Sequence, residues 1–271
     1  WKLPSGPDNI LDVHIKKASL SLVKDELKRQ GIPFTVLVHD VGQALQLHMR
    51  TNRMSRARSR MRRDEVFDFS VYHTYDEITD HMRYIATSYP DIASIMSVAG
   101  TYEGRSIMTI KLGKPFSNGT VKPAIWMDGA IHCREWVVPA TIIYAVDKLA
   151  RQYGSDPTVT RILDELDLYF TPVFNADGYV YTWQSDDTRL WRKNRAPQAG
   201  PCVGVDMNRN WDSHWAGNAG NLELHLGQPA GHPGVHCVPL LLTGVDGSVG
   251  TLLQQAARGR WCTGRAGTVG C

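Results

Sequence analysis

The sequence lacks the features of several protein classes. No apolar run approaches the roughly 20 residues that a membrane-spanning helix requires, so we expect no membrane partner. The five cysteines are too scattered for a zinc ribbon or a dense disulfide framework, and their odd number leaves at least one unpaired within a monomer. The chain starts at Trp1 with neither an initiator Met nor a signal-like segment, which predicts that the natural N-terminus lies upstream. Its overall composition, 42% hydrophobic and 21% charged, is that of an ordinary globular protein.

Acidic residues are scarce at the start of the chain. Residues 1–63 carry 13 Lys and Arg against 5 Asp and Glu, whereas residues 64–271 carry 17 against 22. Such a basic run could bind nucleic acid. Because it has no interleaved aromatic residues and lies between two patterned regions, we predict instead an exposed, protease-sensitive linker and no nucleic-acid partner. The run holds seven arginines in fourteen positions: Arg50, Arg53, Arg56, Arg58, Arg60, Arg62 and Arg63.

The pattern of apolar residues divides the chain into four parts. Over residues 1–49 two short strands, at 10–15 and 33–38, alternate with a helix over 16–30 and a short helix through about Met49. This predicts a small α/β domain that is incomplete at its N-terminal edge. The remaining parts are the arginine-rich linker, a larger patterned region and a glycine-rich tail without Phe or Tyr, which we predict to be disordered; they span residues 50–70, 71–220 and 221–271.

Strands and helices alternate over the larger region. A Thr-x-x-Glu capping box at Thr74 and Glu77 predicts a helix that ends near Tyr89, and Asp156 followed by Pro157 predicts the start of another. This alternation predicts an α/β domain whose sheet is covered by helices on both faces. The predicted strands are 93–98, 106–112, 123–128 and 166–172. The longest predicted helix is 136–153, and residues 175–179 are predicted as a turn.

His132 and Glu135 stand three residues apart, directly after the predicted strand 123–128. An imidazole nitrogen and a carboxylate are good ligands for Zn²⁺, and a catalytic zinc site takes three protein ligands plus water. The motif alone is more often a solvated turn histidine beside a helix-capping glutamate. Two arginine-containing clusters follow, at 189–195 and 206–211, and guanidinium groups bind carboxylates bidentately. Taken alone, each cluster is more often a solvated basic turn than an anion site, but the combination of the pair with both clusters is a far more specific signal.

Together these segments resemble the pancreatic-type zinc metallocarboxypeptidases, the A/B family. The resemblance covers about residues 1–220 and implies the first part of the family's fold, a mixed sheet with helices. It also implies that residues 1–63 are the later part of an activation propeptide. A trypsin-like protease would then cut after Arg62-Arg63 and release an enzyme beginning near Asp64. The segments that carry the resemblance are Tyr102-Glu103-Gly104-Arg105-Ser106, His132-Cys133-Arg134-Glu135-Trp136, the run 172–179, Leu190-Trp191-Arg192-Lys193 and the run 204–211.

The resemblance assigns roles residue by residue. His132 and Glu135 would bind one Zn²⁺ ion, and Arg192 would stabilise the oxyanion formed at the scissile carbonyl. The C-terminal carboxylate of a peptide or protein substrate would be held by four further residues: Asn208 and Arg209, with Arg134 and Arg189 assisting. Cys202 matches a disulfide position of the family.

The resemblance further implies a secreted, monomeric hydrolase made as a zymogen. The sequon Asn118-Gly119-Thr120 is consistent with secretion and predicts glycosylation at Asn118. Cys133 replaces the small residue usual at its position, and we expect an inert buried thiol there.

The family's third zinc ligand and its glutamate general base have no recognisable counterpart after Gly220, although His225, His232 and His236 occur there. We therefore expect the chain as given to bind zinc weakly and to turn over little substrate. One alternative is a peptide-binding pseudo-enzyme that retains the arginine site, which the missing base favours. Another is a zinc amidohydrolase of the aspartoacylase type, which also uses His-x-x-Glu; the propeptide-like start argues against it.

Overall fold

The computed structural model describes residues 10–61, 67–117, 119–198 and 203–211, without the side chains of Arg60 and Met61. The chain divides into two compact units, residues 1–44 and residues 45–271. Several sequence predictions lie outside the described residues: the cleavage site at Arg62 and Arg63, the glycosylation site Asn118, Cys202, the tail 221–271 and its histidines His225, His232 and His236.

The first unit contains a 3-10 turn at Lys17–Ser19, helix α1 at Leu20–Arg29 and the first residues of helix α2, Val41–Met61. The helix predicted over 16–30 is thus confirmed. The two strands predicted at 10–15 and 33–38 are wrong, since no strand is assigned within either stretch. An alternating pattern supplies apolar side chains, but a strand also needs a hydrogen-bonding partner.

Helix α2 continues through the arginine run to Met61. This corrects two predictions, a short helix ending near Met49 and a loop-like linker after it. Arg, Met and Ala are good helix formers, and neither Gly nor Pro interrupts residues 43–61. Met49 and Asn52 are buried and Arg56 is half-buried, so residues spaced three and four apart place one face of this part of the helix against the rest of the second unit.

The second unit contains a four-stranded mixed sheet, as predicted. In the order β1-β2-β4-β3, strand β2 pairs antiparallel with both of its neighbours, whereas β3 and β4 are parallel. The strands are β1 at Ala93–Gly100, β2 at Ser106–Leu112, β3 at Ala124–Asp128 and β4 at Asp167–Thr171.

Helices α3 and α4 pack against this sheet, and most helices begin where the sequence predicts. Thr74 and Glu77 form the complete capping box of α3, and the Asp156 side chain accepts hydrogen bonds from the first backbone N–H groups of α5. The turn predicted at 175–179 is instead the start of a helix, because the Asn175 side chain accepts from the Gly178 N–H and so caps it. The helices are α3 at Tyr75–Ser88, α4 at Val137–Gln152, α5 at Pro157–Glu165 and α6 at Ala176–Tyr181.

The core consists of two apolar clusters on opposite faces of the sheet. Along β2, Ile110 and Leu112 join the larger cluster with α3 and α4, whereas Ile107 joins a smaller one with Val98 and Phe174. Each fully buried side chain of this size contributes about 1.5–3 kcal/mol. Among the described residues, no helix is long and apolar enough to cross a membrane.

Candidate functional site

The candidate site begins at the carboxyl ends of β3 and β4, which lie side by side because the two strands are parallel. The Gly129 N–H donates to the Thr171 carbonyl over 2.9 Å, and the Phe174 N–H donates to the Gly129 carbonyl over 2.8 Å. A Cβ at Gly129 would lie 2.6 Å from the Pro172 carbonyl oxygen, so only glycine permits this approach. The next residue, Ala130, has a φ of 50°, a left-handed conformation that costs a non-glycine residue about 1–2 kcal/mol. The turn ahead of His132 is therefore tightly constrained.

His132 and Glu135 come together on this turn, as predicted. His132 Nδ1 lies 3.0 Å from a carboxylate oxygen of Glu135. The His132 side chain is 9% exposed and that of Glu135 is 44% exposed, so the pair opens to solvent on the glutamate side. The other ring nitrogen, Nε2, lies 3.2 Å from Oδ1 of Asp206.

Asp206 is the site residue that sequence reasoning missed. Its second oxygen accepts from Nε of Arg192 over 2.8 Å, and Oδ1 also accepts from the Asn208 N–H over 3.0 Å. Burial alone would raise the pKa of Asp206, but the hydrogen bond and charge of Arg192, with the contribution of His132, hold it below its usual value. The carboxylate thus stays ionised and links the imidazole to the guanidinium. Its position two residues before Asn208, within a segment already singled out, was the available signal.

The imidazole of His132 and the carboxylate of Glu135 are donor types that zinc takes. A carboxylate at Nε2 favours the tautomer with its proton there, which leaves the Nδ1 lone pair directed toward Glu135. Metal-bound histidines commonly donate their other ring N–H to a carboxylate in this way. A catalytic zinc site takes three protein ligands, of which His132 and Glu135 would supply two. Within the described ranges, no group of three His, Cys, Asp or Glu side chains is arranged to hold a metal ion.

Two predicted arginines lie close to this pair. Burial, followed by the charge of Arg192, lowers the pKa of Arg134, so the two guanidinium groups act on each other. Both are partly exposed. Asp206 partly balances Arg192, and the neighbouring positive charge suits an anionic ligand.

Arg189 occupies a different environment. Its guanidinium carbon lies 3.7 Å from the centre of the Trp136 ring, and Nη1 donates to the Arg134 carbonyl over 2.8 Å. The residue is only 8% exposed. In this structure Arg189 therefore stabilises the backbone at Arg134.

Asn208 and Arg209 are exposed on the 3-10 turn Met207–Arg209. Asp206 caps this turn, and Met207 packs in the smaller apolar cluster together with Ile131. The turn is thereby fixed beside the His132 loop.

Asn175 joins the two halves of the site. Its side-chain amide donates to the carbonyls of Ile131 and Lys193 over 3.2 and 3.1 Å. Sequence reasoning assigned it only to a turn. Cys133 is fully buried next to this network, and its burial raises the pKa of the thiol to about 12. The prediction that this thiol is buried is thus confirmed.

Known proteins with similar sequences are carboxypeptidases. The chain is 38% identical to carboxypeptidase A2 of Mus musculus over 218 residues, which are 80% of this chain and 50% of that protein. It is 38% identical to carboxypeptidase A1 of Bos taurus over 221 residues, 81% of this chain and 51% of that protein. The chain thus spans about half the length of the curated relatives it matches.

Two solved structures are also similar to this chain. Thrombin activatable fibrinolysis inhibitor is 32% identical with a TM-score of 0.61, and carboxypeptidase A of Helicoverpa armigera is 30% identical with a TM-score of 0.63. Each match covers 73% of this chain and 47% of the other.

Two family profiles match the chain. Residues 1–47 match the carboxypeptidase activation peptide, and residues 78–233 match the zinc carboxypeptidase profile, which continues past Gly220. The second match covers more than half of the 271 residues. The chain therefore belongs to the zinc carboxypeptidase family and carries an activation-peptide segment ahead of the enzyme segment.

Proposed function

We propose that the protein is the precursor of a zinc metallocarboxypeptidase that removes C-terminal residues from peptides and proteins. The observation that carries the proposal is the linked arrangement of His132, Glu135, Asp206 and Arg192 beside the turn that holds Asn208 and Arg209. It combines metal-binding donors with groups that recognise a carboxylate.

His132 and Glu135 would hold the zinc ion, with the proton kept on Nε2 by Asp206. When bound, zinc polarises a scissile carbonyl and lowers the pKa of its bound water toward about 7. Arg192, fixed by Asp206, would stabilise the charge that develops on the carbonyl oxygen. Removing one such preorganised donor typically costs about 3–4 kcal/mol of barrier.

The substrate's free carboxylate would be held by Asn208 and Arg209, with Arg134 close by. An exopeptidase must distinguish a terminal carboxylate from an internal amide, and a guanidinium supplies both charge and a planar pair of donors. We place Arg189 in support of Arg134, since its guanidinium is stacked on Trp136.

The activation-peptide match supports control by cleavage. We propose that a trypsin-like protease cuts after Arg62-Arg63, that the protein is secreted as a monomeric zymogen and that Asn118 is glycosylated. The same match argues against an aspartoacylase-type amidohydrolase.

The experiment compares peptides with free and amidated C-termini, using a version extended to the length of the relatives. Arg209→Ala should abolish most exopeptidase activity and leave zinc content unchanged, because Arg209 is not a ligand. Arg161→Ala, an exposed arginine on α5, is the matched control. Equal activity on amidated peptides, or full activity of Arg209→Ala, would contradict the assignment.

A peptide-binding pseudo-enzyme is the second candidate, favoured because no group of three His, Cys, Asp or Glu side chains among the described residues is arranged to hold a metal ion. For the 271-residue chain we propose negligible turnover. Binding of a free-carboxylate peptide without hydrolysis, lost in Arg209→Ala, would support this candidate. Rapid hydrolysis by the same chain would exclude it.

A further inference from the structure

His48 lies at the contact between α2 and the body of the second unit. It directly precedes the buried Met49 and lies one turn before the buried Asn52. Its ring centre is 5.6 Å from that of Tyr72 and 5.9 Å from that of Trp136. Nε2 is buried and has no hydrogen-bond partner in the part of the chain that the structure describes.

The described surroundings of His48 give a protonated ring no hydrogen-bond acceptor at Nε2. Tyr72 and Trp136 present neutral aromatic rings, and Asn52, on the same helix, exchanges hydrogen bonds with the Tyr72 backbone. The charged group that acts on His48 is Arg189, stacked on Trp136. Burial first, and then the charge of Arg189, lowers the pKa of His48.

Glu77 already forms an ion pair with another residue of α2. Arg56, two turns after His48, contacts both carboxylate oxygens of this acid. Protonation of His48 would therefore place a second cation near Arg189, in a contact that is lined by aromatic rings and partly shielded from water.

We propose that His48 makes the packing of residues 45–61 of α2 against the rest of the second unit sensitive to acid, so that protonation of this residue detaches this part of the helix. In a detached helix the imidazole titrates near its ordinary value of about 6.5, so the detached state binds more protons than the attached one. The contribution of His48 is fully present at high pH and is lost as pH falls below about 6.5.

This attachment bears on activation. A segment severed from the enzyme by cleavage would leave faster in an acidic compartment than at neutral pH. That consequence rests on the proposed function, whereas attachment itself is measured without any peptidase activity, so the two can fail separately.

The test is hydrogen exchange of the full chain at about pH 7.5 and about pH 5.5, corrected for intrinsic exchange rates. Peptides within residues 45–58 should lose up to about tenfold of their protection at the lower pH, the limit set by a free histidine of pKa about 6.5. Strand β2 provides the internal reference. His48→Gln should remove this loss, and His39→Gln, which changes an exposed histidine, should leave it unaltered.

Constant protection of residues 45–58 in the unmodified chain, or an equal loss in His48→Gln, would overturn the proposal. If His48→Gln does not fold, NMR titration of the unmodified protein decides. The His48 ring should then titrate below the histidines of the denatured chain, and titration at or above their midpoint would overturn the proposal.

Discussion

The ion pair between Arg56 and Glu77 provides a quantitative test of how α2 is held. Nη2 of Arg56 lies 2.6 Å from each carboxylate oxygen, and the side chains are 15% and 27% exposed. The Arg56 guanidinium also lies 5.0 Å from the centre of the Trp183 ring. Glu77 accepts from the Thr74 N–H as part of the α3 capping box, so Glu77→Gln removes the charge while glutamine can still cap.

We expect a coupling free energy of about 1–2 kcal/mol between Arg56→Ala and Glu77→Gln. A hydrogen bond to a charged group contributes about 1.5–3 kcal/mol, and the partial exposure of both side chains reduces that value. Loss of the cation–π contact adds about 0.5–1 kcal/mol to the single change Arg56→Ala, but not to the coupling. The total cost of Arg56→Ala should therefore be about 2 kcal/mol.

The assay is urea unfolding of the four proteins in a double-mutant cycle, followed by tryptophan fluorescence. Arg83 and Asp80 form the matched control, because they are 2.7 Å apart but 56% and 72% exposed. Their coupling should stay below about 0.5 kcal/mol. A coupling for Arg56 and Glu77 no larger than that of the control pair would refute the view that partial burial makes this contact strong.

Three further predictions follow from single contacts. Trypsin should cut after the exposed Arg58 faster than after Arg56, measured by mass spectrometry of early fragments, and preferential cleavage at Arg56 would contradict its docked position. Cys133, with a thiol pKa of about 12, should resist alkylation at pH 8 until the chain unfolds; labelling of its native-state peptide would show that it is accessible. In the extended protein, Asp206→Asn should weaken zinc binding about 10- to 100-fold by releasing His132, as measured by chelator competition; unchanged affinity would count against its orienting role.

The sequence predicted elements whose signals are local. The capping box at Thr74 and Glu77 and the Asp156 cap identify helix starts because each motif satisfies backbone N–H groups within one turn. The full length of α2 was not predicted. Its arginine run has no apolar period, and the contacts of Asn52 and Arg56 that hold it come from residues about 20 positions later.

The candidate site also contains residues that local signals reveal and residues that only tertiary contacts bring in. His132 and Glu135 are three residues apart, so one turn brings them together, and the arginine clusters that follow single the pair out. Asp206 lies 74 residues further along and reaches His132 only through tertiary structure. Arg189 likewise depends on tertiary structure, because its guanidinium stacks on Trp136.

The hydrogen bonds around Gly129 have a consequence for the order of folding. They join the loop after β3 to Thr171 and Phe174, roughly forty residues later, across the crossover formed by α4 and α5. Closing such a loop costs chain entropy before its contacts repay it, so these pairings are slow relative to helix formation. A growing chain that has just completed α4 already contains the two proposed zinc ligands, His132 and Glu135, but not the strand that shapes their turn. Metal capture should therefore follow the docking of β4, and binding of the ion would report on a late step of folding.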